Sequence, residues 1–226
     1  MTRSLRALTI VGIVLATGTV AHAQTTLASF SYDSLSGSYV AGTPTSGVFS
    51  ANAVDQPLLR TVGNFDRTIA SVGNADFPAG FVNDANPANI QLSLPVAVTS
   101  GTTASTVAGQ ISITDIDGDV FNAVIDGDWY LLGPGFTFFN GNLTNISFVD
   151  NGAADGTFDG YSGSWVMNLP GNPLEGAIVN LVFGGTNWFV QDFNDFAVGV
   201  SGQVIPTPGA MALLGMGGLL AARRRR

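Results

Sequence analysis

The feature that most limits what this chain can fold into is its rhythm. Short runs of apolar and β-branched residues are each cut off after a few positions by Gly, Pro, Asn or Asp. Twelve such runs are readable, at 26–32, 47–53, 90–98, 109–115, 120–125, 128–132, 136–139, 143–149, 163–169, 178–183, 187–193 and 197–204, and no long helical period lies between them. Alternation is clearest in Gln110-Ile111-Ser112-Ile113-Thr114, where the period of two sends both isoleucines to one face and the polar residues to the other. Many strands without intervening helices predict an all-β chain with antiparallel pairing, folded as a β-sandwich or jelly roll, with a barrel as the other closed solution. Residues 54–89, rich in Pro, Asn and Asp, predict long loops with one short helix at 57–60. Val62-Gly63-Asn64 and Val72-Gly73-Asn74 share three residues at a spacing of ten, too short a match to define a repeat.

Both ends depart from this rhythm. Arg3 and Arg6 precede an apolar run at 7–16, and Ala21-His22-Ala23 follows it. This is the order of a secretory signal peptide over 1–23, exported through the Sec machinery and cleaved between Ala23 and Gln24. At the other end, Pro206-Thr207-Pro208 is followed by a wholly apolar stretch at 209–222 and then by Arg223, Arg224, Arg225 and Arg226. As a helix, that stretch would span about 21 Å against a hydrocarbon core of roughly 30 Å, a poor permanent anchor. The arginines would stay on the cytoplasmic side, leaving the prolines outside, within reach of an enzyme. A plain tail anchor or stop-transfer helix is the competing reading of the same residues.

The segment 204–226 resembles the PEP-CTERM sorting signal, in which a Pro-Glu-Pro motif, a Gly/Ala/Leu-rich helix and an arginine cluster direct processing by an exosortase. Here Thr207 stands where the glutamate is usual. The resemblance implies an exported protein, transiently anchored at the membrane through its C-terminal helix and destined for the cell surface or an extracellular matrix of polysaccharide. It implies a destination and assigns no activity. The organisation expected is therefore a signal peptide, one β domain over 24–203 and a sorting tail.

The body between the signals carries 16 acidic residues against Arg60 and Arg67 alone, a net charge of 2 − 16 = −14. Such a surface repels phosphate backbones, which argues against nucleic acid and leaves two readings of the acids, divalent cations as partners or plain solubility of the surface. There is no Cys, and the single His, His22, lies in the signal peptide. A mature body without either cannot build a Ser-His-Asp, Cys-His or His-metal centre, and Glu175 is its only glutamate. The chain is expected not to be an enzyme and to need no cofactor, with calcium the one candidate ion.

Calcium enters through Asp115-Ile116-Asp117-Gly118-Asp119, with Asp126 at the twelfth position. Alternate aspartates around a glycine can converge on a hard cation. Val120 at the sixth position and strands on both sides rule out an EF-hand. Two readings remain: a looser calcium turn, or a hairpin with Asp117-Gly118 as a type I′ turn. A second acidic stretch at 150–160, containing Asp150, Asp155 and Asp159, divides the same way between ligand loop and turn. The aromatic residues Tyr161, Trp165 and Trp188, with Trp129, Tyr130 and Phe189, offer either a stacking platform for sugar rings or strand packing. Calcium and sugar contacts together define the alternative function, a calcium-assisted carbohydrate-binding module.

Overall fold

The computed structural model describes residues 25–79, 89–133, 135–151, 154–184 and 188–207. Every regular element among them is a strand. In chain order these are β1 (Ala28–Thr43), β2 (Ser46–Asn52), β3 (Asp55–Gln56), β4 (Leu59–Arg60), β5 (Val62–Arg67), β6 (Gly73–Phe77) and β7 (Asn89–Val98). They continue as β8 (Thr103–Thr114), β9 (Val120–Leu131), β10 (Phe136–Val149), β11 (Thr157–Asp159), β12 (Ser164–Val166), β13 (Leu174–Gly184) and β14 (Phe193–Pro206). The signal helix and the C-terminal apolar helix expected from the sequence lie outside the described residues. No helix among the described residues is long and apolar enough to cross a membrane.

All pairings are antiparallel, and the main sheet runs β14-β13-β10-β9-β8-β7-β2-β1 before closing through a further β1–β14 pairing. The two faces of the fold therefore belong to one sheet joined at both edges. The sequence left sandwich and barrel open because alternation reports which side of a strand is buried and not which strands are neighbours.

Strand β1 makes the closure possible. Along one edge it pairs with β14, from Ala28↔Val204 to Tyr39↔Phe193. Along the other it changes partner, taking β5 over Ala28 to Asp33 and β2 from Ser36 onward. Ser34, with φ of 61°, sits at the register shift between Tyr32 and Leu35, where a bulge bends the strand and increases its twist. The hairpin β5–β6 thus hangs from the first half of β1 and folds across one end of the ring, where β11–β12 joins it through the Asp76↔Ser162 bridge.

Inward positions fill the ring with two aromatic groups. Phe49, Trp129, Phe183 and Phe189 pack together at one end, with Trp129 5.1 Å from both Phe49 and Phe189 between ring centroids. Phe30, Phe65, Phe121, Phe158 and Trp165 pack at the other, centred on Phe65, which lies 5.1 Å from Phe158 and from Trp165. Tyr32 extends over Gly63, its partner on β5, and a Cβ there would stand 2.1 Å from the Tyr32 ring. Only glycine fits under that ring.

The largest departure from the sequence reading lies in 54–89. Instead of a helix at 57–60, β3 and β4 form a hairpin across Pro57-Leu58, held by Asp55↔Arg60 pairing and an Arg60–Asp55 ion pair of 2.8 Å. Instead of loops, Val62-Gly63-Asn64 and Val72-Gly73-Asn74 contribute to the two sides of the β5–β6 hairpin. Asn and Asp are disfavoured in strands. Here they stand on the outer face, where Asn64 donates to Asp66 and Asn74 to Asp76, while Phe65, Ala75 and Phe77 point inward. The strand expected at 187–193 is not formed either: residues 188–192 are irregular and β14 begins at Phe193.

Candidate functional site

Hairpin pairing brings the β8–β9 connection to the same end of the ring as the start of β1 and the end of β14. Thr114 pairs with Val120, leaving a five-residue loop from Asp115 to Asp119. It is not a type I′ turn, which needs positive φ at both central residues, because only Gly118 adopts one, at 108°. Asp115 shapes the loop instead. Its Oδ1 accepts the N–H groups of Asp117, Gly118 and Asp119 at 3.1, 2.9 and 2.8 Å, and its own N–H donates to the Asp119 carbonyl at 2.9 Å.

The same carboxylates reach into the second acidic stretch. Asp115 Oδ2 accepts the N–H of Asp159 at 2.7 Å, and Asp119 Oδ1 accepts that of Asn151 at 2.6 Å. Asp115 and Asp119 are both fully buried. The result is one cluster drawn from two loops: carboxylate oxygens of Asp115, Asp117 and Asp119 lie within 4.8 Å of one another, as do those of Asp117, Asp155 and Asp159. Asp117 belongs to both groups. Nothing in the spacing of the two stretches tells that β11 is laid against the β8–β9 loop.

Five carboxylates this close need positive charge or protons. Neither body arginine supplies the charge. Arg60 pairs with Asp55, and buried Arg67 donates to the Ile69 and Val166 carbonyls and to Asn168 Oδ1. Burial pushes the Asp115 carboxyl up to about 7, helped by its hydrogen bond with Asp117 and opposed by the N–H groups of Asp159 and Asp119. At the exposed rim, the Thr157 N–H and hydroxyl hold Asp155 below the usual carboxylate range. The cluster can hold a proton or accept a hard cation.

Asp126 does not join it. Its Oδ1 accepts the Ala108 N–H at 2.7 Å, fixing a bulge in β8 where Ala108 takes φ of 56°. Its twelfth-position spacing predicts a ligand shared with the 115–119 loop, whereas β9 carries it along the sheet, paired with Asn142.

The aromatic platform is not built either. Trp165 is 3 % exposed and donates its Nε1–H to the Phe65 carbonyl at 2.8 Å. Trp188 is 7 % exposed against Phe189, and Trp129 is fully buried. Of the proposed sugar contacts only Tyr161 and Tyr130 stand open, at 65 % and 39 % exposure, and Tyr130, next to Trp129 on β9, lies at the other end of the ring. Strand alternation and an irregular loop turned the tryptophans inward, where their area is worth most.

The first proline of the tail motif is part of the fold. Pro206 is buried as the last residue of β14, opposite Leu174, and Thr207 donates its N–H to the Pro173 carbonyl at 3.4 Å. Ala21, Ala23, Gln24, Pro208 and Arg223 to Arg226 lie outside the described residues. Comparison with family models, curated proteins and solved structures finds no match to this chain.

Proposed function

We propose that this is an exported, non-enzymatic protein of the cell surface or extracellular matrix, delivered by a cleaved signal peptide and a C-terminal sorting tail of the PEP-CTERM kind. The tail holds the chain at the membrane briefly. An exosortase-like enzyme then processes it at or beyond Pro206-Thr207-Pro208, and the body is released or joined to extracellular polysaccharide. The observation that supports this reading is the seam between β1 and β14. Leu27 donates its N–H to the Val204 carbonyl at 2.8 Å, and Thr26 bonds to Gln203 at 3.2 Å. Both signals thus join the body at one end of the ring, and a body tethered there turns its other end away from the membrane.

Intact-mass measurement of the exported protein tests the reading. The expected chain begins at Gln24 and has lost Arg223 to Arg226. A mature chain that keeps the arginines would sink the sorting role and leave a tail anchor.

Calcium-assisted binding is the second reading, favoured by the convergence of Asp115, Asp117, Asp119, Asp155 and Asp159. Its test follows from Asp115, whose folded pKa of about 7 lies above the unfolded carboxyl value of about 3.9. Between those values the folded chain binds more protons than the unfolded one. The contribution is fully present below about pH 4 and is lost as pH rises through about 7. In chelator, the thermal midpoint should therefore fall as pH rises across this window, less steeply for Asp115→Asn. Millimolar calcium, by binding the charged form, should raise the midpoint at pH 7.5 and flatten the dependence. An unchanged midpoint with calcium would remove the ion from the account.

A further inference from the structure

We propose that the outer face of β2, β7, β8 and β9 is a binding groove for neutral polysaccharide, which rests on the surface and matrix reading above and names the chemistry of the polymer. Register builds the groove. Asn52, Gln91, Ser112 and Asn122 stand opposite one another in a row across the four strands. Ser50, Ser93 and Gln110 form the next row. Three strand spacings make the first row about 14 Å long, room for more than one sugar ring.

These rows line a depression of about 430 Å³, within the size range of ligand sites. Its curvature comes from the backbone. A bulge in β10 shifts the register between Thr144 and Ser147, and there Asn145, at φ of 51°, forms one wall. The β8 bulge held by Asp126 bends the sheet further along the same strands. The floor is held rigid from beneath, since Leu92, Ile111 and Ala123 on the same strands are buried in the core.

Chemistry selects the ligand class. Among the described residues no charged and no aromatic side chain lines the groove, although the body around it carries a net charge of −14. Carboxamides and hydroxyls each donate and accept hydrogen bonds, matching the hydroxyls of a sugar, which do both. Among the described residues none of these groove side chains is hydrogen-bonded to another side chain or to the backbone, so their capacity faces outward. A uronic acid polymer would meet the negative body with no cation to receive it. Neutral chains meet no such penalty.

The test is affinity electrophoresis of the exported protein, whatever its C-terminus, through gels holding dextran, laminarin or galactomannan, with polygalacturonate as the anionic control. Retardation is expected in at least one neutral gel and not in polygalacturonate. The Gln110→Ala/Asn122→Ala pair should weaken the retarding interaction roughly tenfold, the size of one or two lost hydrogen bonds. The exposed single variant Gln91→Ala serves as a second probe, and both variants should keep the parent thermal midpoint. Absence of retardation in every neutral gel, or retardation that groove variants with the parent midpoint do not change, would overturn the proposal. Binding by a chain that retains its arginines would fail the sorting reading alone, and loss of the arginines without binding would fail the groove alone.

Discussion

Replacing Trp129 with alanine should cost about 3–5 kcal/mol of folding stability, the range for removing a fully buried aromatic side chain. The indole is enclosed at the far end of the ring from the chain termini. Phe139 lies 4.6 Å from it, Phe49 and Phe189 5.1 Å and Phe183 6.2 Å, between ring centroids. These partners come from β2, β10, β13 and the segment before β14, so a cavity here loosens both halves of the closed sheet. The polar edge is satisfied as well: Nε1–H donates to Thr106 Oγ1 at 2.8 Å, and Thr106 is 2 % exposed. Trp129→Phe retains much of the ring contact and abandons that hydrogen bond, so it should cost roughly 1–2 kcal/mol. Urea unfolding measures both. A loss below about 1 kcal/mol for the alanine variant would mean that this end of the ring is not packed as described.

The result also separates two meanings that a tryptophan in a strand can carry. Sequence reading placed Trp129, Trp165 and Trp188 either in a sugar platform or in packing, since identity alone does not state which face is inward. The all-β class was legible because alternation in Gln110-Ile111-Ser112-Ile113-Thr114 and the scarcity of helical periods act locally. Closure was not, because it depends on the pairing of Ala28 with Val204 across nearly the whole body. The β5–β6 hairpin was hidden for a different reason: its outer face is Asn and Asp, residues that signal turns until their side chains are seen bonding along each strand. At the acidic site the first three aspartates were legible from their spacing. Asp155 and Asp159 joined them only through the placement of β11, and Asp126 left them because β9 runs straight through it.

That convergence makes Asp115 the second residue whose loss should be costly. One carboxylate terminates four N–H groups, three within its own loop and one from Asp159. Asp115→Ala strands them together, and each donor that water cannot reach costs about 1–3 kcal/mol. The Asp117, Gly118 and Asp159 donors are partly accessible, whereas the Asp119 bond is buried, so the expected total is roughly 3 kcal/mol. Asp115→Asn discriminates between the two jobs of the side chain. Its amide oxygen can still accept the three N–H groups of the loop, while its NH₂ meets the Asp159 N–H donor to donor. Without calcium at neutral pH, the asparagine also removes a charge from a crowded acidic cluster, which offsets that loss. Asn should therefore cost far less than Ala in chelator, and millimolar calcium should enlarge both losses by the same amount and leave the gap unchanged, because the ion stabilises the parent carboxylate and neither variant. Equal losses for the two variants in chelator would show that Asp115 acts through its charge and not as the acceptor around which both loops are folded.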